Sequence, residues 1–393
     1  MSVGASQATD LFAHGWRVER PRTAGPAQLP VSEIPDLVRQ GCRLERQGDF
    51  AGAEACYRRA AAPDSPYSRT GRGTAWMLLA TSLLARGDFG AAWPFWEARE
   101  APPVMSQRIA PWRGQRLRGR TILVAPEAGL GDQIQFLRWL PLLRTRGAGR
   151  VIYGAPSPLV RILRSMPGIE VVDAGDNDKR ALNLDFPVDF CVGIGGLPYA
   201  FDARPESIPP APYLSAAPAD IEQWRGRLPD APLRVGLVWR GSPTHGVDRV
   251  RSLPSLKPLA PLWEVPGVAF ISLQKGPAED QARAGVPGQP ITHLGAEHRD
   301  FADTAAILEH LDLTISVDTS TAHAAGALGK PVWVLSPKTP DWRWRHADMV
   351  RRWYPTARVF PQHQHHDWSG AVQDVAAALR EFKCAREGAK EGL

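Results

Sequence analysis

The sequence contains little cysteine and no long apolar run. Its four cysteines, among 393 residues, are scattered without the spacing of a metal site or a disulfide framework, a pattern that favours a reducing compartment. No stretch approaches the ~20 consecutive apolar residues that a transmembrane helix needs. The N-terminus also lacks the basic region and apolar core of a signal peptide. We therefore expect a cytoplasmic protein without a transmembrane segment.

An excess of charge of either sign is absent too. The chain has 47 basic and 41 acidic residues, and no basic run is dense enough to indicate nucleic-acid binding. The net charge of +6 suits an anionic substrate. Three histidines near the C-terminus (His363, His365 and His366) lack a supporting carboxylate or cysteine pattern, so we expect no metal site there. The length allows two or three domains.

The first part of the chain contains a helical repeat. Residues 1–30 lack periodicity and predict a flexible leader. The motif Gly48–Ala53 returns 39 residues later as Gly87–Ala92, and small and aromatic residues around both copies occupy positions typical of a tetratricopeptide helix pair. We predict a helical unit over 31–110. Two repeats are too few for a free-standing solenoid, so the unit must pack on the next domain. A docking surface for a protein or peptide and purely structural packing both remain open.

A first α/β half is predicted over 111–215. Residues 120–125 predict a buried strand, and an amphipathic helix is predicted from 133 to about 144. Pro141 is expected to kink this helix or to end it early, because proline lacks an N–H. Short alternating strands and helices follow, which favours a parallel sheet.

The loop between that strand and helix holds three candidate site residues. Gly129 and Gly131 let a ligand approach the backbone closely. Asp132 stands at the predicted helix start, where the helix dipole stabilises a negative charge. The spacing is Gly-x-Gly-Asp, which differs from the Gly-x-Gly-x-x-Gly dinucleotide fingerprint. An ordinary N-terminal acid is the alternative interpretation of Asp132.

A second α/β half is predicted over 216–360, and three of its strand ends carry polar groups suited to phosphate or ribose. Ligands of open α/β sheets bind beyond the carboxyl ends of strands, where helix N-termini present free N–H groups to anions. Three strand ends together therefore favour a nucleotide diphosphate site. The alternative is an ordinary crossover in which Asp318 only caps a helix. The candidate residues are Gly241, Ser242, Arg251, Gln274, Lys275, Asp318, Thr319, Ser320, Thr321 and His323.

The end of the chain offers weaker signals. Residues 340–345 alternate aromatic and basic side chains, which fits stacking on a base or sugar and fits a loop packed between domains equally well. We predict a C-terminal helix and tail over 361–393.

Two Rossmann-like halves with a nucleotide site in the second resemble the GT-B glycosyltransferases. Gly129-Leu130-Gly131-Asp132 is similar to the N-terminal loop of glycosyltransferase family 9, the ADP-heptose heptosyltransferases. The segment from Asp318 to His323 is similar to the Asp-x-x-x-x-His donor segment of that family. The helical repeats, with His323 at a helix start, resemble family 41, the O-linked N-acetylglucosamine transferases. Bacterial tetratricopeptide-repeat glycosyltransferases between these groups match best, over about 35–382.

The resemblance implies an α/β GT-B fold preceded by a small all-α tetratricopeptide-like unit, and it implies residue roles. Asp132 would be the general base that deprotonates the acceptor hydroxyl, and Arg251 and Lys275 would neutralise the departing diphosphate. The remaining second-half candidates would hold the nucleotide sugar, and Gly129 and Gly131 would form the acceptor-side loop. Such enzymes generally need no metal or cofactor, because cationic side chains and a helix N-terminus stabilise the leaving group.

The first hypothesis is therefore a metal-independent, inverting glycosyltransferase. Its donor would be a nucleotide-diphosphate sugar, and its acceptor a protein or surface glycan, docked by the helical unit. A second hypothesis is a non-catalytic docking or scaffold protein with a vestigial GT-B body. A lipopolysaccharide heptosyltransferase is the third, although that chemistry does not need helical repeats. Two departures from the relatives are the short repeat array and Ala128, where a polar residue is common. No motif encodes the sugar or the base.

Overall fold

The chain forms two compact units. The computed structural model describes residues 36–66, 69–98, 109–164, 166–175 and 187–391. Unit 1 comprises the described residues up to Pro210 together with Asp341–Trp353, and unit 2 comprises Ala211–Pro340 with the described residues from Tyr354 onward. The predicted leader over 1–30 lies outside the described residues.

Unit 1 begins with four helices, and both copies of the repeated motif form the same turn. Gly48 and Gly87 adopt φ angles of +87° and +84°, the left-handed region that favours glycine. Asp49 and Asp88 follow as N-caps and accept the amide N–H groups of Gly52 and Ala91. The repeat thus encodes two helix–turn–helix pairs, while their tetratricopeptide character stays a prediction. The helices are α1 (Asp36–Arg46), α2 (Phe50–Ala61), α3 (Arg69–Ala85) and α4 (Phe89–Glu97).

A five-stranded parallel sheet follows in unit 1. Its strand order is β4-β3-β2-β5-β1, so the first long strand, β2, lies at the centre. The strands are β1 (Ala110–Pro111), β2 (Thr121–Ala125), β3 (Arg150–Ala155), β4 (Glu170–Asp173) and β5 (Phe190–Gly193). The helices are α5 (Leu130–Phe136), α6 (Leu142–Thr145), α7 (Ser157–Leu163) and α8 (Leu197–Ala200).

The predicted helix over 133–144 is interrupted in the structure. Helix α5 starts earlier and ends at Phe136, a 3₁₀ turn covers Leu137–Trp139, and α6 starts after Pro141. The missing N–H of Pro141 removes a helical hydrogen bond, which explains the break.

Unit 2 contains a six-stranded parallel sheet. Counted from its first strand, β6, the strand order is 3-2-1-4-5-6, the doubly wound order of a Rossmann fold. The elements are α9 (Pro218–Arg225), β6 (Leu233–Val238), α10 (Asp248–Arg251), β7 (Val268–Ser272), α11 (Glu279–Ala284), β8 (Thr292–His293), α12 (Phe301–Glu309), β9 (Leu313–Val317), α13 (Ser320–Ala327), β10 (Val332–Ser336), α14 (Ala347–Trp353, in unit 1), β11 (Ala357–Pro361) and α15 (Ser369–Glu391). Two parallel α/β sheets therefore confirm the predicted fold class at this level.

The aromatic segment after residue 340 belongs to the core of unit 1. Trp342 and Trp353 are fully buried, and their rings pack edge to face at 5.6 Å. Trp342 also contacts Trp96 of α4 at 5.9 Å, and Trp353 contacts Trp139 at 5.8 Å. These rings are thus core residues that no ligand can stack on. This packing places residues 341–353 in unit 1, whereas the sequence predicted one domain over 216–360.

Among the described residues, we find no helix that combines the length and the apolar character needed to cross a membrane.

Candidate functional site

The candidate site of unit 2 lies where its strand order reverses. Strands β6 and β9 are neighbours in the sheet, and the chain winds in opposite directions from them. The crevice beyond the carboxyl ends of two such strands is the usual ligand site of a doubly wound sheet. Gly241 and Ser242 follow β6, and the segment from Asp318 to Thr321 follows β9.

Helix α13 presents an uncapped N-terminus at this point. Its N-cap residue, Thr319, makes no side-chain bond to the helix. The Thr319 hydroxyl instead bonds the Ser316 hydroxyl of β9 at 2.9 Å. The first backbone N–H groups of a helix have no partner within the helix, so they remain available to an anion. Ser320 and Thr321, in the first turn, are partly exposed.

His323, one turn into α13, is buried between two polar partners. Its Nδ1 lies 2.8 Å from the Tyr354 hydroxyl, and its Nε2 lies 3.6 Å from Oδ1 of Asp318. The Tyr354 ring packs closely on Gly326, where a Cβ atom would lie 2.4 Å from the ring. The imidazole orientation is therefore fixed by Asp318 and Tyr354. The pairing of Tyr354 with His323 was not predicted, because 31 positions separate the two residues.

Arg251, in the short helix α10 after β6, is a cation without a carboxylate partner among the described residues. Its Nε atom is buried without a hydrogen-bond partner, and the guanidinium forms no ion pair with the described residues. Gly241 allows its close approach, since a Cβ there would lie 2.7 Å from Nη2 of Arg251. The side chain is only partly buried, but a buried donor such as this Nε is costly to leave without an acceptor, so the guanidinium is suited to an anion from outside.

A buried carboxylate orders the loop that carries Gly241 and Arg251. Asp248 is 3% exposed, and its Oδ1 accepts a hydrogen bond of 2.6 Å from the Ser252 hydroxyl. That hydroxyl accepts the Gly241 N–H at 2.9 Å. Arg240 approaches the second Asp248 oxygen at 3.6 Å. Asp248 was not predicted, because in the sequence it is one acid within a basic segment.

Gln274 links the ends of β6 and β7 through backbone groups. Its Oε1 accepts the N–H groups of Trp239 and Arg240 at 3.1 and 2.9 Å. Its Nε2 donates to the carbonyls of Arg240 and Lys275 at 3.0 and 2.8 Å. The amide is thus fully used within the protein, which makes Gln274 a brace of the site. Its predicted contact with the donor stays a prediction.

Lys275 holds the loop before α12 and keeps a free donor. Its Nζ donates to the carbonyls of Gly295 and His298 at 2.8 and 2.7 Å. An ammonium has three N–H groups, so one remains, and no ion pair with the described residues neutralises the charge. Burial, and then the Lys275 charge, lower the pKa of His298 to about 4. His298 is therefore neutral at physiological pH.

Unit 1 has a matching strand end, between β2 and β5, occupied by Glu127. Its Oε1 accepts the Gly195 N–H at 2.6 Å, and a Cβ at Gly193 would lie 2.4 Å from the same oxygen. Burial and then the Glu127 charge raise the pKa of Cys191 to about 12, and the same two causes raise the pKa of Tyr153. Glu127 was not predicted, although it lies in the predicted loop.

Asp132 is the third residue of α5, and both its oxygens are engaged. Oδ2 accepts the Gly129 N–H at 3.0 Å, and Oδ1 accepts a hydrogen bond from Arg343. Gly131 lies in the first turn of α5. Ala128 has a φ of +60°, a left-handed conformation that costs a non-glycine residue roughly 1–2 kcal/mol. The loop is therefore strained beside the predicted base.

Two further features of the described residues involve none of the side chains above. His363 pairs with Asp374 at 2.7 Å on the surface. A cavity in unit 1 is lined by five residues, none of which was predicted for the site: Arg116, Leu142, Thr145, Arg146 and Phe201.

Comparison with known proteins supports the fold. No family model matches the chain. It is 28% identical over 327 residues to protein FlbA of Caulobacter vibrioides, a match that covers 77% of this chain and 54% of FlbA, so the chain spans about half of that relative. A family 9 glycosyl transferase from Veillonella parvula is similar in structure, with a TM-score of 0.51 at 12% identity over 70% of this chain and 99% of that one.

A second solved structure, E. coli ADP-heptose lipopolysaccharide heptosyltransferase II, gives a TM-score of 0.48 at 15% identity over 68% of this chain and 99% of that chain. Likeness at such low identity shows the fold alone. The likeness to the Veillonella parvula structure thus supports the predicted two-domain α/β fold. The tetratricopeptide and family 41 resemblances stay predictions.

Proposed function

We propose that the protein is a glycosyltransferase that uses a nucleotide-diphosphate sugar. One observation carries the proposal. Arg251, which pairs with no described carboxylate and whose buried Nε no described acceptor reaches, follows β6, while the uncapped N-terminus of α13 follows the neighbouring β9. Both features favour anions, and both lie where a doubly wound sheet binds its ligand.

The diphosphate is both the anchor of the donor and the leaving group. As the bond between the anomeric carbon and the phosphate oxygen breaks, negative charge grows on that oxygen. Arg251, the remaining N–H of Lys275 and the α13 amides stabilise this charge, as fixed donors do in other enzymes. Asp318 and the His323 imidazole are assigned to hydroxyl groups of the donor. No metal ion is needed for this chemistry.

The second part of the reaction is deprotonation of the acceptor hydroxyl. Asp132 takes the proton while the acceptor oxygen forms its bond to the anomeric carbon, opposite the departing diphosphate, which inverts the configuration. Each Asp132 oxygen already accepts one hydrogen bond, but a carboxylate offers about four acceptor positions. We assign the acceptor to proteins or surface glycans, and its docking to the helical unit.

Thermal unfolding with UDP, ADP, GDP, TDP and CMP compounds tests the donor site. A ligand at about 100 times its dissociation constant stabilises the folded protein by about 2.7 kcal/mol. We expect one nucleotide to raise the melting temperature and Arg251→Gln to abolish that rise. Arg249→Gln is the matched control, since Arg249 is an exposed residue of the same short helix.

The outcomes separate the hypotheses. If the nucleotide still raises the melting temperature of Arg251→Gln, its phosphates bind at another site. The non-catalytic docking protein is favoured by one observation, the engagement of both Asp132 oxygens, and it predicts no rise with any nucleotide. Under the enzymatic hypothesis, Asp132→Asn abolishes sugar transfer and leaves the nucleotide-induced rise intact.

A further inference from the structure

Residues 341–345 form a short segment whose two arginines are both buried in ion pairs. Arg343 and Arg345 each expose about 5% of the side chain. Trp342 and Trp344, between and beside them, are buried as well. The charged groups of this segment therefore lie inside unit 1. Two buried cations are stable only if each is paired and hydrogen-bonded.

Three acceptors hold Arg343, two of them side chains of α5 and the third a residue of its own segment. Its Nη2 donates to Oδ1 of Asp132, and its Nε donates to Oε1 of Gln135. Its Nη1 donates to Oδ1 of Asp341 at 2.9 Å. The guanidinium also lies over the Trp342 ring, with 4.3 Å between its central carbon and the ring centroid. A planar group with fixed donors of this kind orients its partners as well as pairing with them.

Arg345 fixes the other end of the segment to the helical unit. It pairs with Glu45 of α1 at 2.6 Å, where the two side chains are 5% and 8% exposed. The Tyr57 hydroxyl donates to the second Glu45 oxygen at 3.0 Å, and Arg345 lies over the Phe50 ring at 4.7 Å. The helical unit therefore contributes directly to the placement of this segment.

We propose that Arg343 is the positioning residue of Asp132, and that the Glu45–Arg345 pair holds it in place. This inference rests on the proposed function. Arg343 on Oδ1 and the Gly129 N–H on Oδ2 fix the plane of the carboxylate, which leaves its remaining acceptor positions for the hydroxyl that reacts. The Glu45–Arg345 pair thereby gives the helical unit a part in building the reaction site.

The closing experiment separates turnover from donor binding. The donor is the nucleotide sugar whose nucleotide raises the melting temperature. Turnover is measured as the release of nucleoside diphosphate, with water taking the place of the acceptor. We expect Arg343→Gln to lower kcat roughly 100-fold, the usual effect of a misplaced catalytic group, while KM for the donor and the nucleotide-induced melting rise stay unchanged. Arg343→Lys restores part of kcat, because it keeps a charge beside Asp132.

A control variant distinguishes a loss of kcat from a loss of stability. Arg138 donates to the carbonyls of Gln135, Pro209 and Trp353, at 3.0, 3.1 and 2.9 Å, and none of these bonds involves Asp132 or the Gln135 side chain. Arg138→Gln should lower the melting temperature and leave kcat of the folded protein unchanged. Glu45→Gln should lower kcat by less than Arg343→Gln does, because it only loosens the segment.

Several results would overturn the inference. An unchanged kcat in Arg343→Gln shows that Asp132 needs no positioning, and a rise in donor KM alone makes Arg343 a donor contact. An equal loss of kcat in Arg343→Gln, Arg343→Lys and Arg138→Gln shows a structural role only. A wild-type protein without nucleotide binding or turnover overturns the proposed function, and the positioning role with it.

Discussion

At the scale of single residues, His323 owes its placement to Tyr354. A buried imidazole can turn about its bonds unless its nitrogens are held, and here Tyr354 and Asp318 flank the two nitrogens. The tyrosine ring is itself fixed against Gly326. The histidine that was predicted for the donor site is therefore one member of a set of three side chains.

We expect Tyr354→Phe to weaken nucleotide binding, because the hydrogen bond to Nδ1 is lost while the ring packing on Gly326 remains. The loss of one buried hydrogen bond is worth about 1 kcal/mol, or roughly a fivefold rise in dissociation constant. Calorimetric titration of the selected nucleotide measures it. Tyr153→Phe, in unit 1, removes a comparable buried bond to Gln133 and is expected to leave nucleotide affinity unchanged. Equal affinity in Tyr354→Phe and wild type would exclude this role.

At the scale of elements, the loop after β6 is ordered by a chain of hydrogen bonds. Asp248 holds the Ser252 hydroxyl, which holds the Gly241 N–H. Arg251 projects from the same short helix as Asp248. The loop therefore presents its cation in a fixed place only while the buried carboxylate remains.

Asp248→Asn should lower the affinity for the nucleotide even though Asp248 itself is buried. The neutral amide weakens the hold on Ser252 and Arg240, so the loop loses order and Arg251 loses its place; a lost bond of this charged kind costs about 1.5–3 kcal/mol. Arg249→Gln, an exposed position of the same short helix as Asp248, serves as the control. Affinity that falls in the control but not in Asp248→Asn would contradict this account.

At the scale of the molecule, the chain crosses between its two units more than once. It enters unit 2 after Pro210, returns to unit 1 for Asp341–Trp353, and ends in unit 2. Unit 1 thus joins side chains that are far apart in sequence, such as Asp132 and Arg343, which are 211 positions apart. Contacts of such separation form late and slowly during folding.

Stability should fall in mild acid because of His298. Its pKa is about 4 in the folded protein and about 6.5 in the unfolded chain. Above pH 6.5 His298 is neutral in both the folded and the unfolded state, so it does not lower the free energy of unfolding. As the pH falls from 6.5 to 4, only the unfolded state binds the proton, and the free energy of unfolding decreases by about 3 kcal/mol.

Urea unfolding at pH 7, 5.5 and 4.5 measures this loss. His298→Gln should reduce the pH dependence relative to wild type, since glutamine does not titrate. The exposed His365→Gln is the control and should retain the full dependence. An identical slope in His298→Gln and wild type would show that other groups cause the acid sensitivity.

The sequence by itself determined most of the strands and their order, but not the short strands β1 and β8 or the edge strand β11. Buried apolar runs matched the central strands β2, β6, β9 and β10, because fully buried parallel strands carry continuous apolar residues. The repeated Gly-Asp-Phe motif marked both turns of the helical unit, because glycine supplies the left-handed turn and aspartate the cap. Candidate residues at strand ends followed from the rule that ligands bind there.

Only the tertiary structure decided which side chains meet. Glu127, Arg343 and Tyr354 carry no local signal, because Gly195, Asp132 and His323, with which they pair, lie on other segments of the chain. Trp342 and its neighbours are likewise core residues of unit 1. The sequence could not decide this, because aromatic and basic residues are equally common at ligand sites and in buried contacts. Local patterns specify secondary structure, whereas buried pairing depends on the complete fold.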